Sequence, residues 1–172
     1  MAKALAEDDG AVTGPAWSTR HNHRQCVIDA VTEAADVCQR RGARLTDLRK
    51  RVLELIWSSH QPIGAYAVLD ALRAERSGAA PPTVYRALDF LLEHGLVHRI
   101  ESLNAFIGCN QPSRTHGGQF LICSTCGDAV EMDDGRIDKA IHLSAADAGF
   151  AVRSRVVEAV GLCPHCQTGE GG

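Results

Sequence analysis

No stretch of the sequence approaches the run of about 18 apolar residues that a membrane-spanning helix requires. The N-terminal segment also lacks the basic-then-apolar order of a secretory signal. A cytoplasmic location without a membrane partner is therefore expected. Catalytic signatures are missing as well. There is no Gly-rich phosphate loop followed by Lys and Ser or Thr, no nucleophile elbow and no His-Glu-x-x-His, so neither an enzyme nor a small-molecule substrate is expected. Positive charge is not in excess either: a net charge of −3 argues against a histone-like binder held by charge alone. Cysteine is not scarce, but its odd count of 7 does not suit a closed disulfide framework.

What is present is a chain of 172 residues, 45% hydrophobic and 23% charged, enough for one or two small soluble domains with packed cores. Its charge is uneven. Residues 39–99 hold 10 Lys or Arg against 6 Asp or Glu, a balance of +4, whereas residues 100–172 hold 5 against 9, a balance of −4. A basic module followed by an acidic one suggests different partners for each.

Residues 1–24 mix Ala, Gly, Pro and charge without periodicity and read as a flexible arm, in which His21 and His23 are either solvated or metal-binding. Four helical patterns follow: 26–41, ended by Gly42; a second, capped by Thr46, running to about His60; 65–76; and a fourth beginning with Thr83 and stopped at Gly95. The period then changes to two over 96–101 and 105–109, a small hairpin. Helices followed by such a hairpin have the order of a winged helix-turn-helix. From Gln119 the pattern runs strand 120–123, strand 129–132, helix 135–148 and strand 150–160. The fold class is thus α+β, an N-terminal winged helix-turn-helix followed by a small C-terminal α/β unit. The boundaries are 25–110 for the first module, 111–118 for a hinge, 119–168 for the second module and 169–172 for a tail.

Cys123 and Cys126 enclose two residues, as do Cys163 and Cys166. Two such knuckles read as a four-thiolate zinc site, because each tight turn supplies two adjacent corners of a tetrahedron. With every corner filled, the ion would be structural and would staple a unit whose core is thin. A thioredoxin-like pair is the other reading, but one Cys-x-x-Cys suffices for that chemistry. A more dispersed set is His98 and Cys109 on the hairpin, His116 in the hinge and Glu131 on a C-terminal strand. Together they offer one sulfur, two nitrogens and an oxygen, a mixture that zinc tolerates and that binds more weakly than four thiolates. On spacing alone Cys109 is equally a small core residue and His98 a hairpin-packing residue. Cys26 and Cys38 read as packing residues or incidental thiols.

Thr83, Tyr85 and Arg86 open the helix that precedes the hairpin. If that helix enters a major groove, Arg86 pairs with guanine, Tyr85 packs on a thymine methyl or bonds phosphate, and Thr83 as N-cap aims backbone N–H groups at phosphate. The alternative is an exposed amphipathic helix carrying an ordinary arginine. A basic run, Arg40, Arg41, Arg44, Arg49, Lys50 and Arg51, adds phosphate contacts or is a solvated helix face.

The segments PPTVYRALDFLLEHGLVHRIES, FIGC, FLICSTCGDAVE and VVEAVGLCPHC, with the isolated His116, resemble the ferric-uptake-regulator family, and within it the zinc uptake regulator branch, over residues 37–166. The resemblance implies two zinc ions per chain. Cys123, Cys126, Cys163 and Cys166 would hold the structural one; His98, Cys109, His116 and Glu131 would hold the regulatory one. It also implies a homodimer and repression of zinc uptake genes; dimerisation by the C-terminal unit is expected, with double-stranded palindromic operator DNA as partner and Thr83, Tyr85, Arg86, Arg44 and Lys50 as the residues read above as DNA-contacting. Iron-sensing members usually carry a His-rich run before the first knuckle, where this chain reads HGGQFLIC. At 44–49 it reads RLTDLR where relatives often have Thr-Pro-Gln-Arg. Ser154 and Arg155 stand where several relatives place a histidine, so no third metal site is expected, with His142 a weak candidate.

Overall fold

A computed structural model describes residue 17 and residues 23–59, 61–75, 78–114 and 116–169. Most of the arm, including His21, lies outside these residues.

The first helix, α1 (His23–Arg40), faces the core with Ala34, Val37 and Cys38, three to four residues apart. It begins three residues earlier than expected, drawing His23 into the helix. Thr46 caps α2 (Asp47–Ile56) by accepting from the Arg49 amide, as its residue type promises. The helix ends at Ile56, four residues before the expected stop, where the Trp57 amide bonds back to the Leu53 carbonyl. After a two-residue strand β1 (Ile63–Gly64) come α3 (Ala65–Glu75) and α4 (Pro81–Glu93).

Helix α4 corrects the sequence reading. Its N-cap is Ala80, with no side-chain cap, and Pro81 occupies the first helical position. Proline suits that position because its missing N–H would go unpaired there and its φ is already helical. Thr83 is therefore inside the first turn, its amide bonded to the Ala80 carbonyl, and is not the cap.

Strands β2 (Val97–Ile100) and β3 (Ala105–Gly108) form the hairpin, and β1 joins its far edge to give the order β1-β3-β2. A main core of Val37, Val52, Leu53, Ile56, Leu72, Leu88 and Leu91 lies between the helices and the hairpin. Each such side chain stabilises the fold by about 1.5–3 kcal/mol on burial. Gly108 is needed here, since a Cβ at that position would sit 2.2 Å from the Trp57 indole.

The C-terminal unit contains β4 (Gly118–Cys123), β5 (Ala129–Glu131), α5 (Gly135–Asp147), β6 (Val156–Gly161) and α6 (Pro164–Thr168). Its sheet order is β5-β4-β6, with β5 antiparallel and β6 parallel to β4. The expected strand at 150–160 is shorter, because residues 151–155 make no ladder and Arg155 turns to Asp138 on α5. A second apolar cluster joins Ile100 and Ile107 of the hairpin to Phe120, Ile122 and Ala129. No described helix is long and apolar enough to cross a membrane.

Candidate functional site

Two groups of metal-ligating side chains stand out among the described residues. The first brings together Cys123 at the end of β4, Cys126 in the following turn, and Cys163 and Cys166 around α6. Parallel pairing of β4 with β6 carries both knuckles to one end of the sheet, opposite Cys123↔Gly161. The four sulfurs lie within 4.8 Å of one another, and Cys126 Sγ is 3.9 Å from Cys163 Sγ. Sulfurs at about 2.3 Å from a tetrahedral ion stand about 3.8 Å apart, so the set fits zinc. All seven cysteines are free thiols. The Cys126 amide, and after it the Cys163 amide, hold the Cys123 thiol down to about 6, so this sulfur is ionised at neutral pH. Its bond to Cys163, with burial second, pushes Cys166 up to about 12. The cluster thus sets a thiol that favours its thiolate, Cys123, beside one that resists ionisation, Cys166, which a cation is required to ionise.

The second group joins His98 on β2, Cys109 just after β3, His116 in the segment before β4, and Glu131 at the end of β5, again within 4.8 Å. Glu131 is the centre of the set. One carboxylate oxygen accepts from the Asn110 amide at 2.9 Å; the other lies 2.7 Å from Nε2 of both His116 and His98. His116 Nδ1 donates to the Arg114 carbonyl at 3.0 Å, which leaves Nε2 to face Glu131 and the Cys109 sulfur, 3.5 Å away. The Arg114 carbonyl thereby fixes the ring with Nε2 directed into the cluster, the nitrogen a metal would take. His98 Nε2 is buried yet forms no hydrogen bond, despite its nearness to Glu131. A buried nitrogen without a directed donor or acceptor fits a ligand position. Gly118 opens the space: a Cβ there would meet the Phe120 ring at 2.5 Å, and His98 Nδ1 is 3.6 Å away.

Electrostatics point the same way. Burial, with the neighbouring Glu131 charge, holds the Cys109 thiol far above its ordinary range, so the sulfur is protonated unless a cation displaces the proton. For Glu131, burial works to raise the pKa, but His98, the Asn110 amide and His116 outweigh it and keep the carboxylate ionised. Sulfur, two imidazoles and a carboxylate in one buried cluster suit zinc better than the oxygen-rich surroundings preferred by harder ions. His142 belongs to neither group.

On the basic module, Val84, Ala87 and Leu88 of α4 are buried while Thr83, Tyr85 and Arg86 face outward. Arg44 and Lys50 are exposed near the start of α2. Three members of the basic run are held within the chain. Arg51 pairs with Glu54 at 2.8 Å and Glu75 at 2.5 Å; Arg49 stacks 3.6 Å above the Phe90 ring; Arg41 donates to the His94 carbonyl at 2.6 Å. Arg49 and Arg51 thus bind structural partners instead of forming a solvated face. Tyr66, 70% exposed in the first turn of α3, was not singled out by the sequence. Its signal is an aromatic residue among apolar positions with no core partner. In the C-terminal unit, α5 contributes no buried residue, and Leu143, Phe150, Val156, Val160 and Leu162 are at least 49% exposed.

A family model described as the ferric uptake regulator family matches residues 40–160. The zinc uptake regulation protein of Escherichia coli (strain K12) is 43% identical over 141 residues, covering 80% of this chain and 81% of that protein. The structure of a zinc uptake regulator complexed with zinc and DNA superposes with a TM-score of 0.80 at 41% identity, covering 84% of this chain and 97% of the other. A crystal structure of holo XcZur gives 0.76 at 42% identity, covering 81% and 98%.

Proposed function

Because the chain belongs to the ferric uptake regulator family, in its zinc uptake regulator branch, we propose that it is a zinc-responsive transcriptional repressor that binds palindromic operator DNA as a zinc-loaded homodimer and represses zinc uptake genes. The observation that carries this reading is a pair of unlike donor clusters in one chain. One consists of thiols alone and lies within the C-terminal unit; the other is mixed and draws its ligands from the hairpin, the hinge and the C-terminal sheet. Each chain holds two zinc ions. Cys123, Cys126, Cys163 and Cys166 hold the structural ion, and His98, Cys109, His116 and Glu131 the regulatory one.

Bound at the mixed site, zinc supplies a divalent charge that links the three segments. The protein does the rest. The Asn110 amide orients Glu131, and the Arg114 carbonyl fixes the His116 ring. Cys109 gives up its proton on loading, so binding weakens in acid. Since the ligands come from both modules, loading favours one angle between them, and DNA favours the same angle; the two affinities are then reciprocally coupled. Thr83, Tyr85 and Arg86 form the reading edge, with Arg44 and Lys50 on phosphates. The exposed apolar side chains Leu143, Phe150, Val156, Val160 and Leu162 of the C-terminal unit support dimerisation there. A dimer would set two α4 helices about one DNA turn apart.

Mobility shifts in buffered zinc, with a duplex enriched from a random pool, test the reading. Wild-type protein gains affinity as zinc rises. Cys109→Ser retains about one zinc per chain and the dimer but loses zinc-dependent binding. Full zinc response in that variant would refute the sensor assignment, and restoration of wild-type binding by iron or manganese but not zinc would replace the metal.

A further inference from the structure

The mixed cluster does not hold the hairpin against the C-terminal sheet by itself. At the hairpin's opposite end, the turn between β2 and β3 presents two successive backbone amides to one carboxylate. Glu158 on β6 accepts from the Glu101 amide at 2.6 Å through one oxygen and from the Ser102 amide at 3.1 Å through the other. This pairing is directional. Two adjacent N–H groups converging on a carboxylate fix both the position and the orientation of the turn, and bonds to a charged acceptor are stronger than neutral ones.

Its location gives it leverage. Glu158 faces Phe120 across the parallel ladder, and Phe120 belongs to the apolar seam with Ile100 and Ile107. Glu101 directly follows β2, the strand that carries His98. The hairpin is therefore held at one end by the mixed cluster and at the other by a carboxylate that is not a ligand. Both attachments run to the same three-stranded sheet, since Glu131 lies on β5 and Glu158 on β6, the two edges flanking β4.

We propose that Glu158 is a positioning residue that sets the zinc concentration at which the protein responds, by holding the hairpin turn in the arrangement that brings His98 and Cys109 to His116 and Glu131. The inference rests on the sensor reading above. A ligand that binds only the assembled arrangement has an apparent dissociation constant equal to its intrinsic value divided by the fraction already assembled. Glu158 raises that fraction in the metal-free protein. Its removal weakens zinc binding at the mixed site without altering a single ligand, and at saturating zinc the assembled state is restored.

The test is a chelator-competition titration with zinc alone on the full-length protein, comparing wild type, Glu158→Gln and Glu158→Ala. Losing two bonds to a charged acceptor predicts a shift of the weaker site's midpoint to roughly tenfold higher zinc in Glu158→Ala, with Glu158→Gln between it and wild type. The tighter site and the final zinc content stay unchanged, as does DNA affinity at saturating zinc. Coincident midpoints for wild type and both variants would overturn the proposal. So would equal losses at both sites or a lower DNA plateau in Glu158→Gln, which indicate general damage to the fold. A Cys109→Ser control separates the two readings. If it retains the weaker zinc site, the sensor assignment itself fails; if it loses that site while both Glu158 variants titrate as wild type, only the positioning role of Glu158 fails.

Discussion

Asp134 shows how much local chemistry one side chain can carry. It caps α5 by accepting from the Arg136 amide at 2.9 Å and also receives the Arg136 guanidinium. The Arg136 side chain first, and its amide second, hold the Asp134 carboxyl down to about 2. A depressed folded-state value means that the folded protein favours the ionised form. Its stabilisation is complete above the unfolded-state value, near 4, and is lost as pH falls towards about 2. Melting temperature measured across that interval should fall with acid, and Asp134→Asn should flatten the curve there. At the same scale, the four-cysteine set was legible from spacing and chemical type, whereas His98, Cys109, His116 and Glu131 were joined into one set only through the family resemblance. The residues that orient them were not. Asn110 acts through its amide and Arg114 through its carbonyl, and groups common to nearly every residue leave no mark in a sequence.

Helix α4 is the element on which the proposed DNA reading depends. Its helical spacing predicts a buried face of Val84, Leu88, Leu91 and Leu92; the first three are buried and Leu92 is half-buried, while Tyr85 and Arg86 face outward. Its cap was misread because two consecutive prolines obscure a start that only backbone geometry reveals: Ala80 is extended and Pro81 is already helical. Arg86→Ala should cost about 1–3 kcal/mol of operator affinity and relax selectivity at one position, read from a binding-site selection; an unchanged preference would remove Arg86 from base contact. The short elements β1 and α6 escaped notice, for two and five residues are too few to display a period. The late start of β6 within its expected pattern has a tertiary cause. Arg155 stays out of the ladder to pair with Asp138 beside the buried Gln119, a contact between residues distant in sequence.

Across the whole molecule, the division into a basic and an acidic half corresponds to two sheets, with one apolar cluster inside the first module and a second bridging the two. The second cluster was not foreseen. Alternation shows that Ile100 and Ile107 face one side of a hairpin, but it does not say that this side meets Phe120 and Ile122. The C-terminal unit has few wholly buried side chains, whereas its four-thiol group ties β4 to α6. Cys123→Ser should therefore cost the tightly held zinc and the dimer together, as followed by metal analysis and sedimentation; a stable dimer lacking that ion would show the unit folds without its staple.

Parallel pairing of β4 with β6 has a consequence in time. Cys123 and Cys163 stand 40 positions apart, and ordering the chain between them costs about 3 kcal/mol of closure entropy before any ladder bond returns it. An ion caught first by the local Cys123 and Cys126 pair would shorten that search by recruiting the distant knuckle before the strands align. Refolding of denatured protein should accordingly accelerate with free zinc at concentrations well below those that drive operator binding, making the metal a nucleus around which the C-terminal half of the molecule folds.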